Sequence, residues 1–260
     1  MKAWTTVLLF AVLVAAAGCM ESKTPVPSGR AIAKASVGVP SLSEIGGSPV
    51  EDKVEAPELP PTHFSSEAEI LKYCPVSDGF AYPVGAPDGK GYRDVQPFGR
   101  NHHLGEDWNG GQGKGGNGDL GDPLYSIADG IVTYAEPVGK NCRYGWGNVV
   151  KIVHNAGTAE KPEYVESLYA HLDEIEVSEH QIVKRGEQIG TMGNCDGHYW
   201  SHLHFELRSE PFMSIGRGYG VDTNGYLEPK KFIEQHRFDR GNPTGKPLFA
   251  GRPTPPPQKG

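Results

Sequence analysis

Short apolar segments, each separated from the next by glycine, asparagine, aspartate or proline, fill the chain between residues 66 and 236. They are rich in β-branched and aromatic residues and show almost no helical periodicity, a pattern typical of antiparallel sheets. The candidate strands are residues 80–84, 123–128, 131–136, 148–154, 164–170, 188–192 and 202–208. Ser66 and Glu69 have capping-box spacing ahead of Pro75, which predicts a short helix before the strands. We therefore predict one mainly β domain at 66–236, with an antiparallel sheet and short helices at its periphery.

The N-terminal segment has the composition of an export signal. The apolar run at 7–17 is too short to span a bilayer but suits a secretory signal peptide, which we place at residues 1–18. A small residue followed by Cys19 resembles a bacterial lipobox, so we expect Cys19 to be lipidated and to become the mature N-terminus. Ordinary cleavage near Ala17 is the alternative. Met20, where an aspartate would resemble an inner-membrane retention signal, indicates the outer membrane, facing the periplasm.

The segments on either side of the predicted domain are poor in residues that could form a core. Residues 19–65 are rich in proline, serine, glycine and alanine, which predicts a disordered tether, and residues 237–260 predict an irregular, proline-rich tail. The chain carries 32 acidic against 25 basic residues, and this mildly acidic balance argues against nucleic acid as a partner. We expect a monomer that meets the membrane only through its lipid anchor.

Two histidines spaced by two, His202 and His204, lie inside a predicted strand. Alternate residues of a strand point to the same face of the sheet. His103 and Asp107 precede them in the chain, and His171 lies between the two pairs. Together these side chains offer enough nitrogen and oxygen donors to hold one zinc ion. The alternative is a pair of solvent-facing histidines without a ligand.

Spacing alone leaves the number of metal ligands open. Four protein ligands would close the site and make it structural, whereas three ligands and a water would make it catalytic. A straight strand would hold His103 and Asp107 about 13 Å apart. Glycines crowd residues 109–121 and disfavour a helix there. We therefore expect Gly105 to bend the chain and bring the two side chains together.

The chain resembles the lysostaphin-type (LytM-type) zinc metallopeptidases from about residue 80 to residue 208. The motifs that carry the resemblance, in the family's order, are FGR at 98–100, HLGED at 103–107, GDPLYSIADGIV at 121–132, GNVV at 147–150, LYAHL at 168–172, VKRG at 183–186, IG at 189–190 and HLHFE at 202–206. It departs from the family at 195–200, where a small Ser/Thr/Gly-rich loop is usual, and in an insertion at 156–162.

The resemblance implies a role for each of five residues. His103, Asp107 and His204 resemble the family's zinc ligands, with one zinc ion per domain. His171 and His202 resemble its unliganded catalytic histidines, beside the water that zinc activates. One of the two would be the general base and the other a donor to the developing oxyanion, and the sequence leaves that assignment open.

The resemblance also implies an activity. Such proteins are endopeptidases that hydrolyse peptide cross-links or stem peptides of bacterial peptidoglycan, in a groove on the antiparallel sheet. Two further hypotheses belong to other classes: a non-catalytic activator of cell-wall amidases on the same fold, and a wall-binding protein. Some activators lack part of the zinc set, whereas all five positions are filled here. The bond that is cleaved is left open.

The cysteines indicate a disulfide. The chain has four, and lipidation of Cys19 would leave three. An exported protein meets oxidising surroundings, in which disulfides form. In the family, the loops that hold Cys142 and Cys195 rim the active groove. The resemblance therefore favours a Cys142–Cys195 bond with Cys74 free, although sequence alone does not give connectivity.

Four other side chains have alternative interpretations. His102 is a surface neighbour or a rival of His103 as ligand. Glu206 shares a strand face with His204, and either orients it or serves packing. Trp146 and Trp200 either line a substrate groove or pack in the domain.

Overall fold

Antiparallel pairing joins every pair of neighbouring strands in the computed structural model, which describes residues 61–110, 116–139, 142 and 144–237. The predicted mainly β fold is therefore confirmed. The predicted signal peptide, Cys19, most of the predicted tether and all but the first residue of the predicted tail lie outside the described residues. Within the described residues, no helix is long and apolar enough to cross a bilayer.

The bounds of the elements are as follows. The strands are β1 (Tyr92–Gln96), β2 (Glu106–Gly110), β3 (Pro123–Tyr125), β4 (Gly130–Val138), β5 (Gly147–Asn155), β6 (Tyr164–Ile175), β7 (Ile182–Val183), β8 (Gln188–Met192), β9 (Leu203–Arg208) and β10 (Tyr226–Leu227). The helices are α1 (Glu67–Tyr73) and α2 (Pro229–Gln235), with short helical turns at Gly85–Gly89 and Arg100–His102.

The strands form one sheet in the order β1-β2-β9-β6-β5-β4-β7, with β10 paired to β9 and β8 paired to both β3 and β6. Two strands near its centre, β5 and β6, are buried over most of their length. Their apolar side chains belong to a core that includes Val150, Ile152 and Tyr169. Strand β9, which carries His204, pairs directly with the buried strand β6.

The N-terminal helix forms where the capping residues predict it. Ser66 is the N-cap of α1, and its hydroxyl accepts a hydrogen bond from the Glu69 amide. The Glu69 carboxylate accepts from the backbone amide of Ser65 rather than from that of the cap residue. Packing of the domain begins slightly earlier than predicted, because Phe64, assigned to the tether from sequence, is buried in a cluster with Ile70.

The strand predictions are correct for some segments and wrong for others. Residues 188–192 form β8 as predicted, but residues 80–84 form no strand. Their amides pair singly with separate segments, Phe80 with the His236 carbonyl and Ala81 with the Ile127 carbonyl, so no continuous ladder develops. Strands β1 and β2 were not predicted, because both are rich in polar and charged residues.

Candidate metal centre

Three donor atoms from two neighbouring strands and the bend before them converge on one point. His103 Nε2 lies 2.9 Å from His204 Nδ1 and 3.3 Å from Asp107 Oδ1, and His204 Nδ1 lies 3.0 Å from Asp107 Oδ1. Within the described chain, this is the one group of three or more such side chains with metal-binding spacing. Tetrahedral ligands 2.0–2.2 Å from zinc stand about 3.4 Å apart. The two imidazoles and one carboxylate therefore fit zinc and leave a fourth position open.

A close approach between two backbones gives the chain its bend before β2. Residues 104–105 form the bend, and a Cβ at Gly105 would lie 2.6 Å from the Phe205 carbonyl oxygen. The absence of a side chain at Gly105, rather than a left-handed conformation, is what this position requires. His103 ends one side of the bend and Asp107 lies in β2 on the other. The expected bend at Gly105 is present, and it brings both side chains to the site.

The sheet register places the other two ligand candidates side by side. Asp107 of β2 and His204 of β9 are directly paired, and His204 is paired on its other side with Ala170 of β6. The His204 ring turns Nε2 toward the Glu206 carboxylate, 3.1 Å away, which accepts a hydrogen bond from it. The fully buried Arg208 in turn donates to Glu206 Oε2. Glu206 therefore orients His204, which is the first of the two roles considered for it.

Hydrogen bonds within the donor cluster and to Glu206 determine the direction of the pKa shifts of His204 and Asp107. Burial lowers the pKa of His204, but the hydrogen bonds to Asp107 and Glu206 outweigh it and raise that pKa to about 9. Burial raises the pKa of Asp107, yet the hydrogen bonds from His103 and His204 hold it well below its usual range. Asp107 is thus anionic, and a metal ion competes with a proton for His204.

A β-bulge brings His171 to the site. In the pairing of β5 with β6, Asn148 faces Leu172 and Val150 faces Tyr169, so two residues of β6 stand opposite one of β5. His171 occupies the bulge with φ 63°, a left-handed conformation in which histidine is enriched among non-glycine residues. The bulge turns its ring toward His202, with the two ring centroids 4.7 Å apart.

Both of these histidines are held by a backbone carbonyl at Nδ1. Nδ1 of His171 donates to the Trp146 carbonyl at 3.1 Å, and Nδ1 of His202 donates to the Trp200 carbonyl at 2.8 Å. In the neutral tautomer that carries its proton on Nδ1, each ring has a lone pair at Nε2. Burial, followed by the nearby His202 and His204, lowers the pKa of His171 well below its usual value, so this ring is neutral. His202 Nε2 lies 4.0 Å from Asp107 Oδ1.

One open cavity of about 300 Å³ is lined by Asp107 and His204 of the donor cluster and by His171 and His202. His103, the third member of the cluster, is fully buried and does not line it. Its other walls are mainly aromatic and include Tyr144, Trp146, Tyr199 and Tyr219. Trp200 does not line the cavity, and its side chain is 74% exposed. Of the two tryptophans considered for a groove, Trp146 lies in it and Trp200 does not.

The remaining residues that were considered from the sequence lie outside the donor cluster. Cys142 and Cys195 are joined by a disulfide with their Cα atoms 5.5 Å apart, and Cys74 is free and buried. His102 is exposed and stands outside the donor cluster. Two further residues that line the cavity, Arg217 and Tyr219, were not predicted, because both lie beyond the segment that carries the family resemblance.

The chain belongs to peptidase family M23. The family model matches residues 105–216. A segment of 91 residues is 38% identical to the lipoprotein NlpD of Yersinia enterocolitica and covers 35% of this chain and 81% of that protein. The resemblance stated from the motifs is confirmed.

Other similar proteins are longer than the matched region. The murein hydrolase activator NlpD of Escherichia coli is 39% identical over 104 residues, which are 38% of this chain and 24% of that protein. The chain thus spans about a quarter of the length of this relative. Among solved structures, a zinc-containing peptidase from Vibrio cholerae is 28% identical, with a TM-score of 0.38 and coverage of 50% of this chain and 36% of that one.

Proposed function

We propose that this protein is a zinc-dependent endopeptidase that hydrolyses peptide bonds in bacterial peptidoglycan. The observation that carries the proposal is the completeness of the site. Three donor atoms lie 2.9–3.3 Å apart, and two further histidines with free Nε2 lone pairs face the same cavity. A purely structural zinc site needs four protein ligands and no open cavity.

His103, Asp107 and His204 would hold the zinc ion. When bound, zinc lowers the pKa of a water molecule at its open position and polarises the carbonyl of the bond to be cleaved. His171 and His202 supply the proton transfers. Each can take a proton at Nε2, because its Nδ1 is already committed to a backbone carbonyl. The histidine that takes the proton from the water can return it to the amine nitrogen of the broken peptide bond.

Peptidoglycan as the substrate is supported by the names of the relatives and by the shape of the site. The relative from Escherichia coli is named a murein hydrolase activator. The cavity is open to solvent along its aromatic rim. Tyr144 is 66% exposed there, and Tyr219 is 50% exposed. A peptide strand of a polymer can therefore enter it without threading a chain end.

A second candidate function is activation of cell-wall hydrolases without catalysis by this chain. The same relative favours it, because its printed name is that of an activator. The two functions differ in the side chains that they require in the cavity. An activator needs no proton-accepting histidines, whereas here His171 occupies a left-handed conformation that turns its ring into the cavity. We therefore rank the peptidase first.

We further propose that the protein is held in the cell envelope by a lipid on Cys19. The name of the Yersinia enterocolitica relative, a lipoprotein, supports this placement. Replacement Cys19→Ser should move the protein from the membrane fraction to the soluble fraction of a lysed cell. Unchanged fractionation of Cys19→Ser with membranes would overturn the lipid anchor.

The test of the proposed function is digestion of purified peptidoglycan by the zinc-loaded protein. Mass spectrometry of the released fragments should show new amino groups at a peptide bond, and His204→Ala should release nothing. If the wild type releases nothing alone but raises the release of stem peptides from muramic acid by an added amidase, the activator function is correct and the peptidase is not.

A further inference from the structure

A cationic side chain that the proposed chemistry does not use lies on the wall of the same cavity. Arg217 lines the cavity and also the neighbouring depression formed with Trp146 and Ile215. Its side chain is exposed, and no described residue forms an ion pair or hydrogen bond with its guanidinium group. An arginine at a substrate cavity without a protein partner is available to a ligand.

The segment that carries Arg217 is fixed on its N-terminal side by buried charges. Arg208 donates to the carbonyls of residues 213–215, and Lys151 donates to the Met213 carbonyl. Lys151 and Arg208 are both buried, and their charges are balanced by Glu166 and Glu206. Such a network is costly to disrupt, because each charge would be left buried without a partner.

On its C-terminal side the segment is fixed to the metal centre itself. The Leu104 amide donates to the Gly218 carbonyl, and the Gly220 amide donates to the His102 carbonyl. A Cβ at Gly218 would lie 3.3 Å from the Trp146 ring and 3.6 Å from the His204 ring, so the backbone passes close to both. Arg217 therefore stands between two fixed points, one residue from a contact with His204.

With a divalent ion bound, the cavity would carry a charge opposite in sign to that of the whole chain. The chain carries a formal net charge of −7. Asp107 is the one carboxylate among the described residues that line the cavity, and a divalent ion held by the donor cluster would offset its charge. Arg217 and that ion together would make the cavity positive. A positive cavity on an acidic protein favours an anionic ligand over the protein surface around it.

We propose that Arg217 binds a free carboxylate of the substrate, so that the cavity selects peptides with an unamidated acid group beside the scissile bond. The planar guanidinium can hold a carboxylate by two parallel hydrogen bonds, which a carboxamide cannot match. The inference rests on the proposed function in one respect: it takes the cavity as the substrate site.

The experiment measures binding separately from cleavage. Soluble fragments of purified peptidoglycan are prepared in two forms, native and with their carboxylates coupled to methylamine. Calorimetry on zinc-loaded His202→Ala, which should not cleave them, gives the dissociation constant of each form. We expect native fragments to bind about 10- to 100-fold more tightly than amidated fragments, as for a hydrogen bond to a charged group. Adding Arg217→Gln should abolish this preference, and Arg217→Lys should restore part of it.

Two controls make the result specific. Arg93→Gln removes an exposed arginine of β1 that does not line the cavity, and it should leave the preference unchanged. A preference for native fragments that survives Arg217→Gln would overturn the carboxylate site, as would equal binding of both forms by the parent. Failure of the wild type to cleave any fragment would overturn the peptidase function alone, because the binding cycle is read without cleavage.

Discussion

Asp107 and His204 are directly paired residues of adjacent antiparallel strands, and their side chains meet with His204 Nδ1 3.0 Å from Asp107 Oδ1. Two of the three proposed ligands are therefore built into the sheet and share the rigidity of its hydrogen-bonded ladder. The third, His103, reaches them from the bend at 104–105 and is itself fixed by its Nδ1 contact with the Gln96 carbonyl. A site whose ligands are held in this way needs little rearrangement to bind a metal ion.

Zinc content should separate ligands from catalytic groups. His204→Ala removes a donor atom from the cluster, so it should abolish zinc binding. His202→Ala removes a ring that stands outside the cluster, so it should retain one zinc ion per chain but lose activity by about 10²- to 10⁴-fold. Elemental analysis of the purified variants measures the metal. Loss of zinc from both variants alike would mean that His202 is a fourth ligand.

Glu206 should tune the affinity of the site for zinc. It accepts the hydrogen bond from His204 Nε2 and thereby leaves the lone pair of Nδ1 facing the other donors. Glu206→Gln should weaken zinc binding by about 10- to 100-fold, measured by competition with a chelator of known affinity. Glu206→Gln also removes the ion pair between Glu206 and Arg208, and thermal unfolding of the zinc-loaded protein measures the resulting loss of stability. The exposed Glu210→Gln is the matched control, and an affinity equal to that of the control would exclude the orienting role.

The sequence predicted the parts of the molecule that follow local rules. Strand β8 is a short segment bounded by turns, and Ser66 caps a helix by a contact three residues away, so both could be predicted. The five site residues were identified because their motifs resemble a family. Neither composition nor spacing would have chosen His171 from the ten histidines of the chain.

What could not be predicted depends on contacts between distant segments. The polar strand β2 exists because β1 and β9 pair with it on either side. Its own polar residues, such as Glu106 and Asp107, do not predict a strand. The position of Arg217 depends on buried charges of β5 and β9 that are far from it in sequence. The β-bulge at His171 is likewise a property of two strands, not of one.

A buried histidine away from the metal centre should make the domain sensitive to acid. His154 is fully buried; its Nδ1 donates to the Asp129 carbonyl, and Nε2 accepts from the Ser167 hydroxyl. Burial lowers its pKa from 6.5 to about 4. The unfolded chain therefore takes up a proton as the pH falls below 6.5, while the folded protein does not until about pH 4. Stability from this group is complete above pH 6.5 and decreases by about 3 kcal/mol as the pH falls to 4.

The test compares variants, because the contribution of other groups to stability has the opposite pH dependence. Burial raises the pKa of Glu106 to about 7, so its contribution to stability falls as the pH rises from 4.5 to 7. The difference in free energy of unfolding between the wild type and His154→Gln, measured by urea denaturation with a chelator present, should shrink by about 1–3 kcal/mol between pH 7 and pH 4.5. Ser167→Ala removes the partner without adding or removing a titrating group. If the two variants show the same pH dependence, the titration of His154 is not the cause.

The Cys142–Cys195 disulfide should stabilise the fold and shape the cavity without affecting the metal. It joins the loop before Trp146 to the loop before Tyr199, which form two walls of the cavity, and neither loop carries a proposed ligand. The double variant Cys142→Ser/Cys195→Ser should lose about 2–4 kcal/mol of unfolding free energy. It should keep one zinc ion, and KM for peptidoglycan fragments should rise more than kcat falls, because the walls bind substrate and the proton-transfer groups stay in place. Cys74→Ala, which removes the free thiol, is the control and should leave KM unchanged. Equal stability of the double variant and the wild type without reductant would show that the disulfide does not form in solution.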